Sequence, residues 1–519
     1  MEDLKDIINL MPKKNTVKEY LYNSSLKYNK EPIIKINSNN TLTNKQYSKF
    51  IEDVESFESK IFCNKKHIAL IGPLSYEWLV VFFGGMNTGN IVVPIDFNLS
   101  SEIIEELLKK ADINMIFYDK KITCKIEKIK EKNEYLIKEL NNLSEFIKDA
   151  ESKDLSCYRP EEDDPAIIAF TSGTTGFNKG VILTHKNLVH NVICSVSLIG
   201  KERFNIGENT VCILPLYHML GITTTILVPL FYGVTIGIPD SNLDFIKNLR
   251  VFKPVYIVGV PMIAEGILKF VKAISKKYND DLAVKKTIKD ILGENLKLFI
   301  SGGAYIEERL INEYEKLGII LLNGYGITEC SPVISCNNLE NRNKDSVGII
   351  APKPFCEAKT YKGEVYIKGS IVCKGYYKDN ESNTVNFDGE WFKTGDLGYI
   401  DRDNYLYITG RKKNTIILKD GNNVSPEQIE KLINEYSIVI NSLIKSEKFN
   451  NIELIKAYIY PDYNYAKENE IKDIELELKN IINKINCKLP NYMKIQEIKI
   501  LEENFELTGI GKIKRYMYV

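Results

Sequence analysis

The stretch AFTSGTTGFNKGV, residues 169–181, joins an apolar segment to a run of glycines and hydroxyl residues that contains one lysine, Lys179. Glycines let backbone N–H groups approach an anion closely, and hydroxyl groups add further hydrogen-bond donors. The composition is therefore typical of a phosphate-binding loop, although exposed surface loops share it. The stretch is not a Walker loop, because that motif requires Ser or Thr directly after the lysine, whereas Gly180 follows Lys179.

Apolar runs typical of short buried strands lie on both sides of this loop and alternate with amphipathic helical segments. The predicted strands lie at residues 67–72, 91–96, 115–119, 166–170, 211–216, 234–238, 255–260, 296–303 and 319–326. Helical segments include SEIIEELLKKA (101–111) and YIEERLINEYEKL (305–317). Such alternation predicts an α/β fold in which largely parallel sheets are covered by helices. The loop at 171–180 is predicted to follow a strand and to precede a helix whose N-cap is Thr184.

The pattern changes twice toward the C-terminus. Short strands with glycine-rich turns between residues 345 and 410 predict a small β-rich subdomain. After residue 411, the predicted elements are helices near 426–437 and 471–488 and strands near 438–446, 454–460 and 495–501. We predict an N-terminal domain of residues 1–410 and a smaller α+β C-terminal domain of residues 411–519. Because no Pro- or Ser-rich linker separates them, the boundary is predicted to be a tight hinge.

Composition excludes several function classes. The chain has 519 residues, which is too long for one compact core, and its 69 basic and 69 acidic residues balance. A net charge of zero argues against nucleic acid or an anionic membrane as an obligate partner. The ten cysteines are scattered without a CxxC pair, so reduced thiols in a cytosol are predicted rather than a zinc site. No signal-peptide pattern and no membrane-spanning apolar run is found, which predicts a cytoplasmic protein.

Ten short motifs follow one another along nearly the whole chain. They are LTNKQYSKF (42–50), TSGTTGFNKG (171–180), LPLYHMLG (214–221), SGGA (301–304), NGYGITE (323–329), GEVYIKGSIVCKGYY (363–377), WFKTGDLG (391–398), GRKKNTIILKDGNNVSPEQIE (410–430), LPNYM (489–493) and GKIKR (511–515). In this order they resemble the motifs of the AMP-forming adenylate superfamily, which comprises acyl- and aryl-CoA synthetases, luciferases and peptide-synthetase adenylation domains. Within it, the chain looks most like bacterial long-chain fatty acyl-CoA synthetases. Any one motif is weak evidence, but ten in order make chance implausible.

The resemblance implies a nucleotide site built from several of these motifs. The residues expected to cradle the β- and γ-phosphates of ATP are Thr171, Ser172, Gly173, Thr174, Thr175, Gly176 and Lys179. Those expected around adenine and the acyl group are Gly302, Gly303, Ala304, Asn323, Tyr325 and Gly326. Asp396 is expected to accept hydrogen bonds from the ribose hydroxyls, and Arg411 to contact the ribose or the phosphates. Taken singly, these residues are equally typical of turns, caps and solvated surface.

The resemblance also implies the catalytic groups. Thr328 is expected to donate to a phosphate oxygen, and Glu329 to bind Mg²⁺, a hard cation that prefers oxygen ligands. Lys512 is expected to bridge the acid's carboxylate and the α-phosphate, although a tail lysine is usually solvent-exposed. The motif before Lys512 departs from the family's Pro-Arg/Lys-Thr pattern, since Glu506, Leu507 and Thr508 stand there. This departure bears on the shape of the loop that precedes Lys512.

Three further positions concern the second half of the reaction. His218 is expected to gate the acyl or thiol channel, with a packed, hydrogen-bonded histidine as the alternative. Lys413 matches the hinge about which a mobile C-terminal domain rotates in such enzymes, although a solvated basic turn is the simpler interpretation. Gly421 lies in the loop 419–423, which is expected to approach the thiol.

The implied function is ATP-dependent activation of a carboxylic acid to an acyl-adenylate with release of pyrophosphate, followed by transfer to the thiol of CoA. The aromatic segment VCILPLYHMLG (211–221) has no aspartate to pair with an α-amino group, which favours a fatty or aryl acid over an amino acid. The expected lining of the acyl pocket is Val258, Gly259, Val260, Gly324, Cys330, Pro332 and Val333. The alternative acceptor is the phosphopantetheine of an acyl carrier protein, and an inactive binding homologue or an amino-acid adenylating enzyme is the weaker reading.

Overall fold

The computed structural model describes most of the chain. The described residues are 2–38, 41–61, 65–130, 135–148, 159–171, 179–240, 244–275, 287–304, 306–340, 342–418, 423–449, 452–508 and 511–518. The predicted phosphate-loop residues Ser172, Gly173, Thr174, Thr175 and Gly176, and Gly421 of the predicted thiol loop, lie outside them.

The first part of the chain alternates strands and helices. Its strands are β1 (Pro32–Ser38), β2 (Thr41–Gln46), β3 (His67–Ile71), β4 (Ile91–Ile95), β5 (Met115–Tyr118), β6 (Leu136–Glu139), β7 (Pro165–Thr171) and β8 (Lys179–Thr184). Its helices are Glu2–Leu10, Val17–Tyr28, Tyr47–Lys60, Tyr76–Asn87, Ser101–Lys110, Thr123–Lys130, Leu143–Ile147 and His185–Ile199.

The middle part continues this alternation. Its strands are β9 (Asn209–Val211), β10 (Thr235–Ile238), β11 (Tyr256–Gly259), β12 (Leu298–Ser301), β13 (Ile320–Gly326), β14 (Val333–Cys336) and β15 (Ile349–Ile350). Its helices are Met219–Gly221, Ile222–Leu227, Val228–Tyr232, Phe245–Phe252, Pro261–Ser275 and Glu308–Lys316, of which Ile222–Leu227 is a π-helix.

The last part is rich in short strands and ends in a separate α+β unit. Its strands are β16 (Glu357–Tyr361), β17 (Glu364–Lys368), β18 (Gly375–Tyr376), β19 (Phe387–Asp388), β20 (Trp391–Ile400), β21 (Leu406–Arg411), β22 (Ile416–Ile417), β23 (Asn423–Val424), β24 (Val439–Phe449), β25 (Ile452–Pro461) and β26 (Glu497–Ile500). Its helices are Asn380–Asn386, Pro426–Asn434, Tyr463–Glu468 and Ile474–Asn486.

Two large sheets carry the N-terminal part of the protein. One has the strand order β15-β14-β13-β12-β11-β9-β10-β1-β2, and the other has the order β18-β8-β7-β4-β3-β5-β6. The central pairs of both are parallel, and antiparallel pairs occur at both ends of the first sheet and at the β18 end of the second. Every residue of β3 and β4 is buried, as expected for parallel strands covered on both faces. The α/β class with parallel-rich sheets is therefore confirmed.

The quoted loop connects two antiparallel strands. These strands are β7 and β8, and Thr171 of β7 pairs with Lys179 of β8. The predicted helix after the loop is present as His185–Ile199, but strand β8, which the sequence analysis did not predict, lies between the loop and this helix. Thr184 does cap that helix: its hydroxyl accepts from the N–H of Asn187 while the Asn187 side chain accepts from the N–H of Thr184.

The strand predicted at 211–216 is also shorter than expected. β9 ends at Val211, and the Cys212 N–H makes one further bond to the Gly237 carbonyl at 3.2 Å. Pro215 has no N–H, so the ladder cannot continue through that segment. The other predicted strands all correspond to strands in the structure.

The smaller predicted units are also present. β16, β17, β19, β20 and β21 form an antiparallel sheet, which is the predicted β-rich subdomain. β24, β25 and β26 form a separate sheet whose own apolar core has buried members from Val424 to Ile495. A division at residues 410 and 411 remains a prediction. None of the helices in the described part of the chain is long and apolar enough to span a lipid bilayer.

Candidate active site

The carboxyl ends of three neighbouring parallel strands, β11, β12 and β13, form one wall of the candidate site. Gly259 and Ser301 are partners in the ladder, as are Ser301 and Asn323. The Gly302 N–H donates to the Gly259 carbonyl at 3.1 Å, so the SGGA segment continues along the end of β11. Ligands of α/β proteins bind at this edge of the sheet, where strands end and loops diverge.

Backbone conformation and close contacts explain why glycines occupy this wall. Gly303 has φ +81°, a conformation that favours glycine. A Cβ at Gly326 would lie 2.1 Å from the Pro332 carbonyl oxygen, so no larger residue fits there. Asn323 is buried, and its amide donates to the Ser346 carbonyl at 3.3 Å. The structure thus places Gly302, Gly303, Asn323 and Gly326 at one wall, with Asn323 already engaged by the protein.

A buried carboxylate accepts a hydrogen bond from Tyr325, a residue of β13. Asp396 on β20 is 3% exposed and pairs in register with Arg411 on β21. The Arg411 Nε lies 2.6 Å from Asp396 Oδ1, and the Tyr325 hydroxyl donates to Asp396 Oδ2 at 2.5 Å. Burial and the negative charge of Asp396 raise the pKa of Tyr325 well above its usual value, so the phenol stays a donor. Three residues predicted separately for the nucleotide site therefore form one connected group.

The turn Thr328–Cys330 carries the predicted metal ligand. The Tyr376 hydroxyl donates to Glu329 Oε1 at 2.9 Å, and Tyr376 is itself buried. The Lys179 ammonium lies 5.2 Å from the centre of the Tyr376 ring, a cation–π distance. Lys179 and Glu329, predicted from separate motifs, thus share one neighbour that the sequence analysis did not select. Tyr376 lies within the motif GEVYIKGSIVCKGYY, but the motif alone does not distinguish it from Tyr377.

The C-terminal segment brings Lys512 to the same region. The Thr508 N–H donates to the Lys512 carbonyl at 2.7 Å, and the Thr508 hydroxyl accepts from the Lys512 N–H at 3.1 Å. A Cβ at Gly511 would lie 3.6 Å from Met262, at the start of the helix Pro261–Ser275. The lysine turn therefore packs against the N-terminal part of the protein. Thr508 supplies both of these bonds, although the residues just before it depart from the family pattern.

The surroundings of Lys512 lower the pKa of its ammonium group. Although the residue keeps exposed surface, loss of hydration around the ammonium, with the positive charge of Arg411, lowers its pKa to about 8. Asp396 opposes the shift. Loss of hydration likewise lowers the pKa of Lys413 to about 8, and Arg411 adds to that effect. Its neighbour Lys412 pairs with Glu364 at 2.7 Å.

His218 lies within range of the Lys512 charge. Loss of hydration lowers the pKa of His218 to about 4; Lys512 lowers it further, while Asp96 opposes the shift. The imidazole is therefore neutral near pH 7. Its ring centre lies 4.6 Å from that of Tyr217, and the residue immediately precedes the short helix Met219–Gly221. A neutral, partly buried histidine suits either a channel wall or simple packing.

The lowered pKa of Lys512 predicts an alkaline limit for any step that uses its charge. As pH rises through about 8, the ammonium of the free enzyme loses its proton. We expect kcat/KM for thiol-independent pyrophosphate release to fall above that pH, since kcat/KM reports the free enzyme. Lys413→Ala should keep the limit and Lys512→Arg should remove it, because guanidinium stays charged. A profile that is flat to pH 10 in the wild type would contradict this assignment.

Comparison with known proteins gives the context for this geometry. A family model described as AMP-binding enzyme matches residues 57–377, more than half of the chain. A long-chain-fatty-acid–CoA ligase of Mycobacterium bovis is 25% identical over 516 aligned residues, covering 86% of this chain and 85% of the relative. A long-chain-fatty-acid–CoA ligase of Bacillus subtilis is 31% identical over 300 residues, covering 54% of this chain and 49% of the relative.

Solved structures share the architecture across the whole chain. An anthranilate CoA ligase in complex with anthranoyl-AMP superposes with a TM-score of 0.83 at 18% identity, covering 99% of this chain and 98% of the other. O-succinylbenzoate–CoA synthetase of Bacillus subtilis, in complex with ATP and magnesium, has a TM-score of 0.77 at 19% identity, covering 96% and 98%. The ordered motifs and the residues that they bring together agree with the matched family model. Because that model covers more than half of the chain, the chain belongs to the family of AMP-binding enzymes.

Proposed function

We propose that this enzyme is an AMP-forming acyl-CoA ligase that works in two half-reactions at one site. In the first, a carboxylate oxygen attacks the α-phosphorus of ATP, the bond to the β-phosphate breaks, and pyrophosphate leaves. In the second, the sulfur of a thiol attacks the acyl carbon, the bond to AMP breaks, and the thiol proton passes to solvent. The relatives named as fatty-acid–CoA ligases and the family match support this reaction class.

One observation carries the proposal most directly: Arg411 and Asp396, which pair at 2.6 Å, both lie close enough to shift the pKa of Lys512. The first half-reaction brings a carboxylate toward a polyphosphate, so a positive charge between the two anions lowers its barrier. We assign that role to Lys512. Asp396 would accept from the ribose hydroxyls, since a carboxylate has lone pairs beyond those used by Tyr325 and Arg411. Tyr325 would present its ring to adenine.

The residues present fit a bound Mg²⁺. One oxygen of Glu329 accepts from Tyr376, and in the described part of the chain no side chain donates to the other oxygen. The described residues gather no group of three or more His, Cys, Asp or Glu side chains that could hold a metal, so phosphate oxygens would supply further ligands. When bound, the ion neutralises phosphate charge. Thr328 and Lys179 would hold phosphate oxygens beside it.

The second half-reaction needs different neighbours, since the thiol must reach the acyl carbon. We propose that the C-terminal domain, residues 411–519, rotates at Lys413 to withdraw Lys512 and admit the thiol beside the loop 419–423, which contains Gly421. The contacts across the present arrangement include exposed polar pairs, such as Lys269 to Asp462 at 3.3 Å and the Arg309 guanidinium to the Ser437 hydroxyl at 2.9 Å. Exposed pairs of this kind are weak, which suits a reversible contact.

A fatty or aryl acid is the proposed substrate and CoA the proposed thiol, both in the cytosol. The walls at the strand ends are apolar: Val258 and Val260 flank Gly259, and all three are buried, as is Cys330. No acidic residue lies in the segment 211–221 to recognise an α-ammonium group. A carrier-protein phosphopantetheine presents the same thiol and is the alternative acceptor.

The test is pyrophosphate release with Mg·ATP across fatty, aryl and amino acids, each without thiol, with CoA, or with a phosphopantetheinylated carrier protein. We expect release stimulated by fatty or aryl acids and faster turnover with CoA. Phosphate release in place of pyrophosphate, or stimulation by amino acids alone, would contradict the proposal. Acceleration by the carrier protein but not by CoA would favour the alternative acceptor.

A further inference from the structure

The short strand β18 lies between two parts of the site that are distant in sequence. On one side it pairs with β8, the strand that leaves the predicted phosphate loop, with Tyr376 opposite Val181. The Tyr377 N–H donates to the Gly180 carbonyl at 2.7 Å, next to Lys179. The backbone of β18 and of the residue after it is therefore hydrogen-bonded to β8 next to Lys179.

On its other side, the same segment holds the turn that carries Glu329. The Cys373 N–H donates to the Glu329 carbonyl at 2.8 Å, and the Ser331 hydroxyl donates to the Ile371 carbonyl at 2.8 Å. The Tyr376 hydroxyl adds the bond to the Glu329 carboxylate. Both the backbone and the side chain of Glu329 are thus held by residues 371–376.

Contacts outside the candidate site hold the backbone of Tyr376 in place. Its N–H donates to the Asn383 side-chain oxygen at 2.7 Å, and the Asn383 amide donates back to the Tyr376 carbonyl at 3.1 Å. Gly375 precedes it with φ +131°, and a Cβ there would lie 2.7 Å from the Asn383 oxygen. Tyr376 as a whole is 4% exposed. A side chain held this firmly can orient its neighbours.

We propose that Tyr376 is a positioning residue that couples the phosphate-binding lysine to the metal ligand, an inference that rests on the proposed function. Its hydroxyl orients the Glu329 carboxylate so that the second oxygen is free for Mg²⁺, and its ring face holds the Lys179 ammonium. Tyr376 thereby sets the distance between the Lys179 ammonium and the metal ion, the two positive charges that would contact a bound polyphosphate.

Tyr376→Phe is the discriminating variant, because it removes the hydroxyl and keeps the ring under Lys179. The measurement is the affinity for a non-hydrolysable ATP analogue, by calorimetry, as Mg²⁺ is titrated. We expect the Mg²⁺ concentration that gives half of the maximal gain in analogue affinity to rise about 10- to 100-fold, the range seen when a hydrogen-bond partner of a metal ligand is lost. The affinity for AMP without Mg²⁺ should stay unchanged, since AMP has neither the β- nor the γ-phosphate.

Tyr377→Phe is a matched control, because its hydroxyl donates to Asp112 at 2.6 Å, away from Glu329, and it should behave as wild type. Tyr376→Leu removes the ring as well and should also weaken binding of the analogue without Mg²⁺. A wild-type Mg²⁺ response in Tyr376→Phe, or an equal loss of AMP affinity, would overturn the coupling role. Glu329→Gln distinguishes failure of the Tyr376 proposal from failure of the Glu329 assignment. If this variant also responds to Mg²⁺ as wild type does, Glu329 is not a metal ligand.

Discussion

Replacing Lys512 with alanine is expected to slow acyl-adenylate formation by about 10²- to 10³-fold or more, as removal of one charge-stabilising donor does in other active sites. Thioester formation from supplied acyl-AMP should be mostly retained, because the proposed second arrangement withdraws this lysine. The physical reason is that only the first half-reaction brings two anions together. Pyrophosphate release without thiol and thioester formation from synthetic acyl-AMP measure the two steps separately.

Lys514→Ala is the matched control for this experiment. Lys514 lies two residues away and pairs with Glu506 at 3.1 Å, so its removal alters the charge of the same segment without altering the proposed site. We expect both half-reactions to remain near wild type in this variant. Equal losses of both half-reactions in Lys512→Ala would contradict the two-arrangement proposal.

Replacing Glu329 with glutamine is expected to lower kcat/KM for Mg·ATP by on the order of 10²-fold. The change keeps the size of the side chain and an oxygen for Tyr376, but it removes the negative charge that binds a hard cation. A metal ion supplies several kcal/mol of charge stabilisation, and each ~1.4 kcal/mol corresponds to a factor of ten. Initial rates of pyrophosphate release over a Mg²⁺ titration at fixed ATP would measure the effect.

An exposed glutamate distant from this turn, Glu308 on the helix Glu308–Lys316, provides the control as Glu308→Gln. That variant should leave the Mg²⁺ titration unchanged. If Glu329→Gln required no more Mg²⁺ than wild type, the carboxylate would not be a metal ligand, and the fit of the turn Thr328–Cys330 to Mg²⁺ would have to be reassigned.

Much of the fold follows from local sequence patterns. Largely apolar runs such as HIALI and IVVPI predict parallel strands that helices cover on both faces, and β3 and β4 are buried throughout. Strand β8, which precedes the helix His185–Ile199, was not predicted. A strand such as KGVILT, directly before a helix, shares its apolar residues with that helix's first turn, so the boundary is ambiguous in sequence.

The candidate site was predicted by motif and not by geometry. The ordered motifs selected Tyr325, Asp396, Arg411 and Glu329, yet nothing in the sequence shows that Tyr325 donates to Asp396 across 71 positions. Tyr376 was missed for the same reason, because its contact with Glu329 spans 47 positions. Hydrogen bonds between residues so far apart leave no periodic pattern along the chain.

The sequence by itself determined the α/β class, most of the alternation of strands and helices, and the residue types available for phosphate, ribose and metal, since burial and backbone preference act on neighbouring residues. Only the tertiary structure decided which of those side chains meet. It joined Arg411, Asp396 and Tyr325, placed Lys179 over the ring of Tyr376 and Glu329 at its hydroxyl, and brought the Lys512 turn against Met262. The reason is that charge and hydrogen bonding act through space, and the pairing of strands distant in the chain sets those distances.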